Sequence, residues 1–380
     1  VVWFPHPPSA CWQHGSSYCL MALIQEPETP FKAIRVLVPG IGSRFRCGGL
    51  NVALQTARLL GNLKPTKIVT YRERTSDKPY LFDLLKSEPF SKEILWLVSW
   101  GFDIPFLLNA LKGRRVAYQA HSSGYGFHLP PGVPVIAVSR NTLGYWGSRA
   151  PRNPLFLVPN ALDAKWLKQG NRLSENPNEL IRRQVDVLVQ RRKSSPYVLN
   201  SLVPALRKQG LVVEVQDGWV DDLVALFNGA SVYIYDSADY WRSAGVTEGF
   251  GLPPLEALAC GCVVFSSLNH ALADTLTPSK TMHQLGCGSL SYDVERIFAA
   301  AKCPWQWHGS KPDIDQLLEI GAESNCLEQW RVALSEIEKG FPYWDNSADL
   351  LSSSSQLVLR ARRLARSFRS RLASSVNKLP

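Results

Sequence analysis

The chain has 380 residues, 45% hydrophobic and 19% charged, which fits two or three globular domains and excludes a disordered or fibrous chain. Its net charge of +10 does not point to nucleic acid, because Arg360, Arg362, Arg363, Arg366, Arg369, Arg371 and Lys378 supply seven positives with no acid among them and leave the rest at +3. No apolar run reaches the length of a membrane span, Val1 to Pro8 lack the basic-then-apolar order of a leader, and the eight cysteines form neither C-x-x-C pairs nor a short disulfide frame, so a reduced, cytoplasmic setting fits best.

Residues 1–31, rich in proline, read as an irregular lead-in. The first strand is Ala33 to Val38, ending in Pro39-Gly40. Leu50, Ala53, Leu54, Ala57 and Leu60 then recur at helical spacing after Gly48-Gly49. Lys67 to Tyr71 and Glu93 to Ser99 read as strands, Asp103 to Leu111 as a helix, and Arg115 to Gln119 and Val133 to Val138 as further strands. A second series follows: strand Val185 to Gln190, helix Pro196 to Lys208, strand Leu211 to Val215, helix Trp219 to Phe227 and strand Ser231 to Tyr235. Strands alternating with helices predict an α/β chain of two Rossmann-like, doubly wound domains, with ligands beyond the carboxyl ends of the strands. The N-terminal domain is expected over 32–170 and the C-terminal one over 171–350, joined in the polar segment Gly170 to Asn178, with a basic tail over 351–380. Leu327 to Ile337, followed by Phe341 to Trp344, is the candidate for a helix returning to the N-terminal domain.

The most informative passage runs from Gly245 to Phe265. Gly249 and Gly251 free the backbone for a tight approach, Pro253 and Pro254 suit the first turn of a helix starting near Leu252, and Cys260-Gly261 ends it before a buried strand, Cys262 to Phe265. The unpaired amides at that helix start can hold an anionic group such as a phosphate. Glu248 and Glu256, eight positions apart on a loop and the following helix, can both point into one cleft, where the hydroxyls of a sugar are suitable partners. A solvated loop charge and a surface glutamate are the plain alternative.

Glu248 to Gly261 closely resembles the E-x7-E signature of family 4 retaining glycosyltransferases, written E-G-F-G-L-P-x-L-E-A-x-A-x-G. The resemblance implies the GT-B fold, two facing domains with the donor in the C-terminal one and the acceptor mostly in the N-terminal one. It implies that Glu256 holds the ribose hydroxyls of a nucleotide diphosphate sugar, that Glu248 holds the ring hydroxyls, and that Gly249, Phe250, Gly251 and Leu252 lie against sugar and phosphate. His121, after the strand Arg115 to Gln119, matches the family's histidine beside the donor sugar. Arg191 and Lys193 are favoured for the leaving diphosphate, although Gln190 to Pro196 departs from the family's G-R-x-x-x-x-K-G register and a solvated basic loop also explains them. Gly40-x-Gly42 and Gly48-Gly49, bracketing Arg44 and Arg46, resemble the family's glycine-rich first loop and can face a diphosphate; a tight turn with solvated arginines is the other reading. Val158 to Asp163 resembles the family's "pNGvD" segment with Ala161 in place of glycine.

Asp313-x-Asp315 is the one D-x-D spacing, read as acids in a helix's first turn rather than as metal ligands. The expectation is therefore a metal-independent, retaining hexosyltransferase without a cofactor. A nucleotide-sugar epimerase of the same fold and a sugar-nucleotide-binding protein without turnover are the alternatives. The expected partners are the donor and a glycan or lipid-linked acceptor, not nucleic acid. In the tail, Leu357, Ala361, Leu364, Phe368 and Leu372 form an apolar stripe among arginines, so residues 356–376 are expected to rest on an anionic membrane surface, on its inner face. A disordered basic tail and a packed helix are the other readings.

Overall fold

The computed structural model describes residues 30–172, 183–285 and 289–344, and Ala361, Leu364 and Ala365 besides. The lead-in before residue 30, the inter-domain segment 173–182 and almost all of the tail lie outside the described residues.

Two parallel sheets organise the chain. The first holds β1 (Ala33–Val38), β2 (Thr66–Thr70), β3 (Ile94–Val98), β4 (Arg115–Ala120), β5 (Val135–Ala137) and β6 (Leu155–Leu157), in the order β2-β1-β3-β4-β5-β6. The second holds β7 (Val185–Gln190), β8 (Val213–Gln216), β9 (Ala230–Tyr235), β10 (Val263–Ser266) and β11 (His283–Gln284), in the order β11-β10-β9-β7-β8. Each is a doubly wound sheet whose order reverses beside its first strand, between β1 and β3 and between β7 and β9. The fold is of the GT-B type.

Burial on both faces explains why these strands read as continuous apolar runs. Along β9, Tyr233 and Tyr235 pack on one face with Trp166, Phe227 and Leu255, while Val232 and Ile234 pack on the other with Val198, Leu202 and Ile297. Along β1, Leu37 joins Trp96 and Tyr118 on one face, and Ile34 and Val36 join Leu60 and Leu95 on the other. The alternation is the two-residue period of a strand.

Two helices differ from their sequence readings for local reasons. The helix expected from Trp219 starts only at Leu223, because Gly218 takes a positive φ of 81° and the Asp222 carboxylate caps the Ala225 amide at 3.0 Å. The helix expected over Pro196 to Lys208 opens with a wide π-type turn, Val198–Leu202, ahead of Pro204, which has no N–H to give to the preceding turn.

Residues 171–350 do not all belong to the second domain. The helix Glu323–Trp344 crosses back, and Cys326, Trp330, Ala333, Leu334, Ile337 and Phe341 form a stripe buried against Ile34, Val36, Leu60 and Leu95 of the first domain. Lys64 pairs with Glu338 at 2.8 Å, and Gln55 donates to Glu323 at 2.8 Å, which fixes the helix along the sheet. No described helix is long and apolar enough to cross a membrane.

Trp330 is 1% exposed in that interface and Val332 is 53% exposed on the same helix. Trp330→Ala is expected to cost about 3–5 kcal/mol and Val332→Ala within about 0.5 kcal/mol, read by urea unfolding. Equal effects would mean that the helix does not hold the first domain through this stripe.

Candidate active site

The candidate site lies at the reversal of the second sheet, where β7 and β9 pair side by side and the connections beyond their carboxyl ends run in opposite directions, which leaves a crevice. Tyr235 ends β9, and the loop Arg191 to Lys193 follows β7. The helix Ala238–Ala244 comes next and stops at Gly245 in the left-handed conformation. Thr247, Glu248 and Gly249 then lead to Gly251, also left-handed at φ 87°, and to the helix Leu252–Ala259 with Pro253 and Pro254 in its first turn. The loop, helix and strand expected from Gly249 to Phe265 are all present, the strand one residue later than read.

Glu248 is 4% exposed. A buried carboxylate requires donors, and it has them: Tyr235 Oη and Trp241 Nε1, the latter at 2.6 Å, both donate to Oε2, while Lys193 Nζ lies 3.7 Å from Oε1. Lys193 holds φ at 72°, a left-handed backbone that a lysine rarely adopts, and its ammonium lies 4.9 Å from the centre of the Trp241 ring and 3.4 Å from Tyr235 Oη. Burial and the Glu248 charge raise the Tyr235 phenol well above its usual range, so it stays a donor.

Arg191, named with Lys193 from sequence, does not share this position. Its Nε pairs with Asp217 at 2.9 Å, with both side chains more than half exposed. Lys193 is the cation beside Glu248.

The first domain meets this loop directly. His121 follows β4, and a Cβ added at Gly249 would sit 1.5 Å from the His121 carbonyl oxygen. Only glycine permits that approach. Ser122 and Ser123, both buried, lock it. Ser122 Oγ donates to the Thr247 carbonyl at 2.7 Å and lies 3.1 Å from the Thr247 amide; the Ser123 amide and hydroxyl reach Thr247 Oγ1 at 3.2 and 2.8 Å. Burial pushes the His121 imidazole down to about 4, leaving it neutral, and its Nε2 is buried without a hydrogen-bond partner. An unpaired buried nitrogen beside the crevice suits a ligand hydroxyl.

Glu256 is partly exposed on the second turn of its helix, and among the described residues no hydrogen bond reaches its carboxylate. Desolvation pushes it up to about 7, with Lys165 and Lys193 pulling the other way. Phe250 is buried in the wall of the loop at 7% exposure, and Leu252 is half-buried at the helix start.

The glycine-rich first loop is only partly as expected. The amides of Ile41 and Gly42 are taken by the Glu73 carboxylate at 3.1 and 2.9 Å, and Arg44 lies 3.5 Å from the same carboxylate. Arg46 reaches across to the second domain, its guanidinium 5.6 Å from the Trp219 ring. Gly48 and Gly49 stay exposed at the start of the helix Gly48–Leu60, whose N-cap Cys47 makes no side-chain cap bond. Asp313 lies 3.4 Å from Lys280, and Asp315 pairs with Arg172, so the D-x-D acids answer separate cations. Among the described residues no cluster of three His, Cys, Asp or Glu side chains is arranged to hold a metal ion.

The functional candidates missed by sequence are Tyr235, Trp241, Thr247, Ser122 and Lys165. Tyr235 reads only as the last residue of a strand, Trp241 lies in a stretch without a motif, and the hydroxyls act over 125 residues of separation. The one available signal was position: Tyr235 ends a strand at the sheet's reversal.

The family model described as Glycosyl transferases group 1 matches residues 206–285, from the helix before β8 through Glu248 and Glu256 to β11. The resemblance to glycosyltransferases therefore stands. No curated protein matches the chain in sequence. Among solved structures, sucrose-phosphate synthase of Thermosynechococcus elongatus is similar at 14% identity and a TM-score of 0.58, over 80% of this chain and 99% of that one. A glycosyltransferase of Rickettsia africae gives 12% and 0.56, over 81% and 99%. Anabaena HepE, solved in complex with UDP and glucose, gives 14% and 0.54, over 80% and 100%. At such identities the likeness is one of fold.

Two outcomes follow. Gly249→Ala is expected to abolish turnover and lower the melting temperature, because two backbones clash and no rotamer relieves them; Gly144→Ala, with open space around it, should do neither. Wild-type turnover by the Gly249 variant would show that the domains do not meet this closely in solution. Burial pushes the Glu256 carboxyl up to about 7, so the affinity of a nucleotide diphosphate sugar, whose phosphates do not titrate in this range, is expected by calorimetry to strengthen up to about tenfold from pH 6 to pH 8 as the accepting carboxylate ionises, and to be flat in Glu256→Gln. Folding carries the opposite sign: between the ordinary 4.5 and 7 the folded chain keeps a proton that the unfolded chain has released, so this group's contribution to stability falls as pH rises through that window.

Proposed function

We propose that this protein is a retaining glycosyltransferase that moves a sugar from a nucleotide diphosphate sugar to the hydroxyl of a glycan or lipid-linked acceptor, without a metal ion. The observation that supports it most is the meeting of Glu248, Lys193 and the His121 segment at the crevice of the second sheet, within and beside the residues that match the group 1 model.

Glu256 accepts from the ribose hydroxyls, while Glu248 Oε1 and His121 Nε2 face the sugar's hydroxyls. The amides from Gly249 to Leu252, ahead of Pro253 and Pro254, which carry no N–H, and the Lys193 ammonium meet the diphosphate, whose charge grows as the sugar leaves. In this reading Glu248 Oε1 is engaged by the sugar's hydroxyls and Glu256 by the ribose, so neither carboxylate is assigned the part of a nucleophile. The acceptor oxygen therefore attacks the anomeric carbon on the face the diphosphate is leaving. The carbon–phosphate oxygen bond breaks as the new glycosidic bond forms, and the acceptor's proton passes to the departing phosphate oxygen. Gly48 and Gly49, exposed at the start of their helix, are proposed to lie against the acceptor or the diphosphate.

Incubation with a panel of nucleotide sugars is expected to release free nucleotide diphosphate from one of them, faster with acceptor present, and at an unchanged rate in excess EDTA. Binding without release would replace the transferase reading with a sugar-nucleotide-binding module. Rates lost to EDTA and restored by magnesium or manganese would remove the metal-independent part.

A further inference from the structure

The donors that satisfy Glu248 form a unit of their own. Tyr235 and Trp241 both donate to one carboxylate oxygen, and the same two rings seat the Lys193 ammonium, 4.9 Å from the centre of Trp241 and 5.9 Å from that of Tyr235. The anion and the cation are thereby fixed side by side, 3.7 Å apart, by aromatic groups that come from the end of β9 and from the helix Ala238–Ala244. Tyr235 is packed in the core and offers its hydroxyl at the core's edge, whereas Trp241 is only partly buried, and what it offers is an N–H on its edge and a π face. With Oε2 saturated by two donors, a bound sugar finds only Oε1 and the neighbouring ammonium open to it.

We infer that Trp241 and Tyr235 are positioning residues, which hold Glu248 and Lys193 in one rigid pair so that a single carboxylate oxygen and the ammonium beside it receive the transferred sugar and its departing phosphate. This rests on the reading of Glu248 as the sugar-binding group. The two functions of Trp241 are separable, because phenylalanine keeps a ring under Lys193 and loses only the N–H, whereas leucine loses both.

The test uses the full chain, with UDP-glucose and UDP as first probes and then the donor the panel selects. Turnover is measured as kcat and KM, and the affinities of the nucleotide sugar and the free nucleotide diphosphate are measured separately by calorimetry. Trp241→Phe and Tyr235→Phe are expected to lower kcat about tenfold to a hundredfold, as loss of one bond to a charged group implies, and to erase part of the extra affinity the sugar confers, with affinity for the free nucleotide diphosphate unchanged. Trp241→Leu is expected to weaken the free nucleotide diphosphate as well, since Lys193 loses its seat. Wild-type kcat in both phenylalanine variants would overturn the proposal. So would a uniform loss of kcat, sugar affinity and nucleotide affinity with a fall in melting temperature, which is what a merely structural role produces. If the wild-type chain binds donors but releases nothing, the transfer reading fails while the sugar-dependent affinity of the variants still decides whether these rings position Glu248.

Discussion

A carboxylate buried at 4% exposure is the constraint around which the second domain is arranged. Taking such a charge out of water costs several kcal/mol unless hydrogen bonds and a counter-charge answer it. The answers here come from three different elements. β9 ends in a tyrosine whose hydroxyl reaches the carboxylate, the following helix turns an indole N–H toward it, and the loop after β7 takes a left-handed lysine to bring an ammonium alongside. The strained Lys193 backbone is intelligible on these terms, because a relaxed loop would point the side chain elsewhere and leave the charge less well met. Stability alone would be served as well by apolar residues of similar volume, so the retention of so many polar groups at one point argues for a ligand.

The second constraint is the contact between domains. His121 and Glu248 belong to different sheets, and what places them together is backbone: the His121 carbonyl against Gly249, with Ser122 and Ser123 bonded to Thr247. Backbone contacts of this kind have few alternative geometries, unlike long side chains, so they define how the cleft closes. At the opposite side the helix Glu323–Trp344 returns to cover the first sheet, and it carries Glu323, which Gln55 and Arg58 hold. Among the described residues the domains thus meet at the crevice and through a helix of the chain's own C-terminal part, and also where Arg46 lies over Trp219 and the Arg140 amide donates to Asp274.

Much of this was legible in the sequence because the local physics is strong. The bounds of the strands Ala33 to Val38 and Val185 to Gln190 match the sequence reading to the residue, because each carries a buried apolar run, Val36 to Val38 and Val187 to Val189, that outweighs the single polar residue near its start, Arg35 or Asp186. The turn from Gly249 into the helix at Leu252 was legible because glycine and proline restrict the backbone themselves. What local pattern does not carry is partnership. Arg191 and Lys193 look alike in sequence, and only the fold shows that Asp217 takes the first while the Trp241 ring and Glu248 take the second. Glu73 claims the Ile41 and Gly42 amides, bonds across 32 and 31 residues that no periodicity reports. The trailing arginines are the reverse case, a clear amphipathic pattern that lies outside the described residues.

The occupied first loop shifts the weight of anion binding toward the second domain. With Glu73 filling the Gly40-Gly42 amides and drawing in Arg44, that loop presents a neutralised surface rather than an empty cradle. Elsewhere among the described residues Arg46 lies over Trp219, Lys193 lies beside Glu248, and the helix start at Gly48 has no side-chain cap. Two of these three reach the second domain. On the proposed reading, a diphosphate meets Lys193 and the turn into the Leu252–Ala259 helix rather than the Gly40-Gly42 loop, because the amides of that first loop are already taken by Glu73.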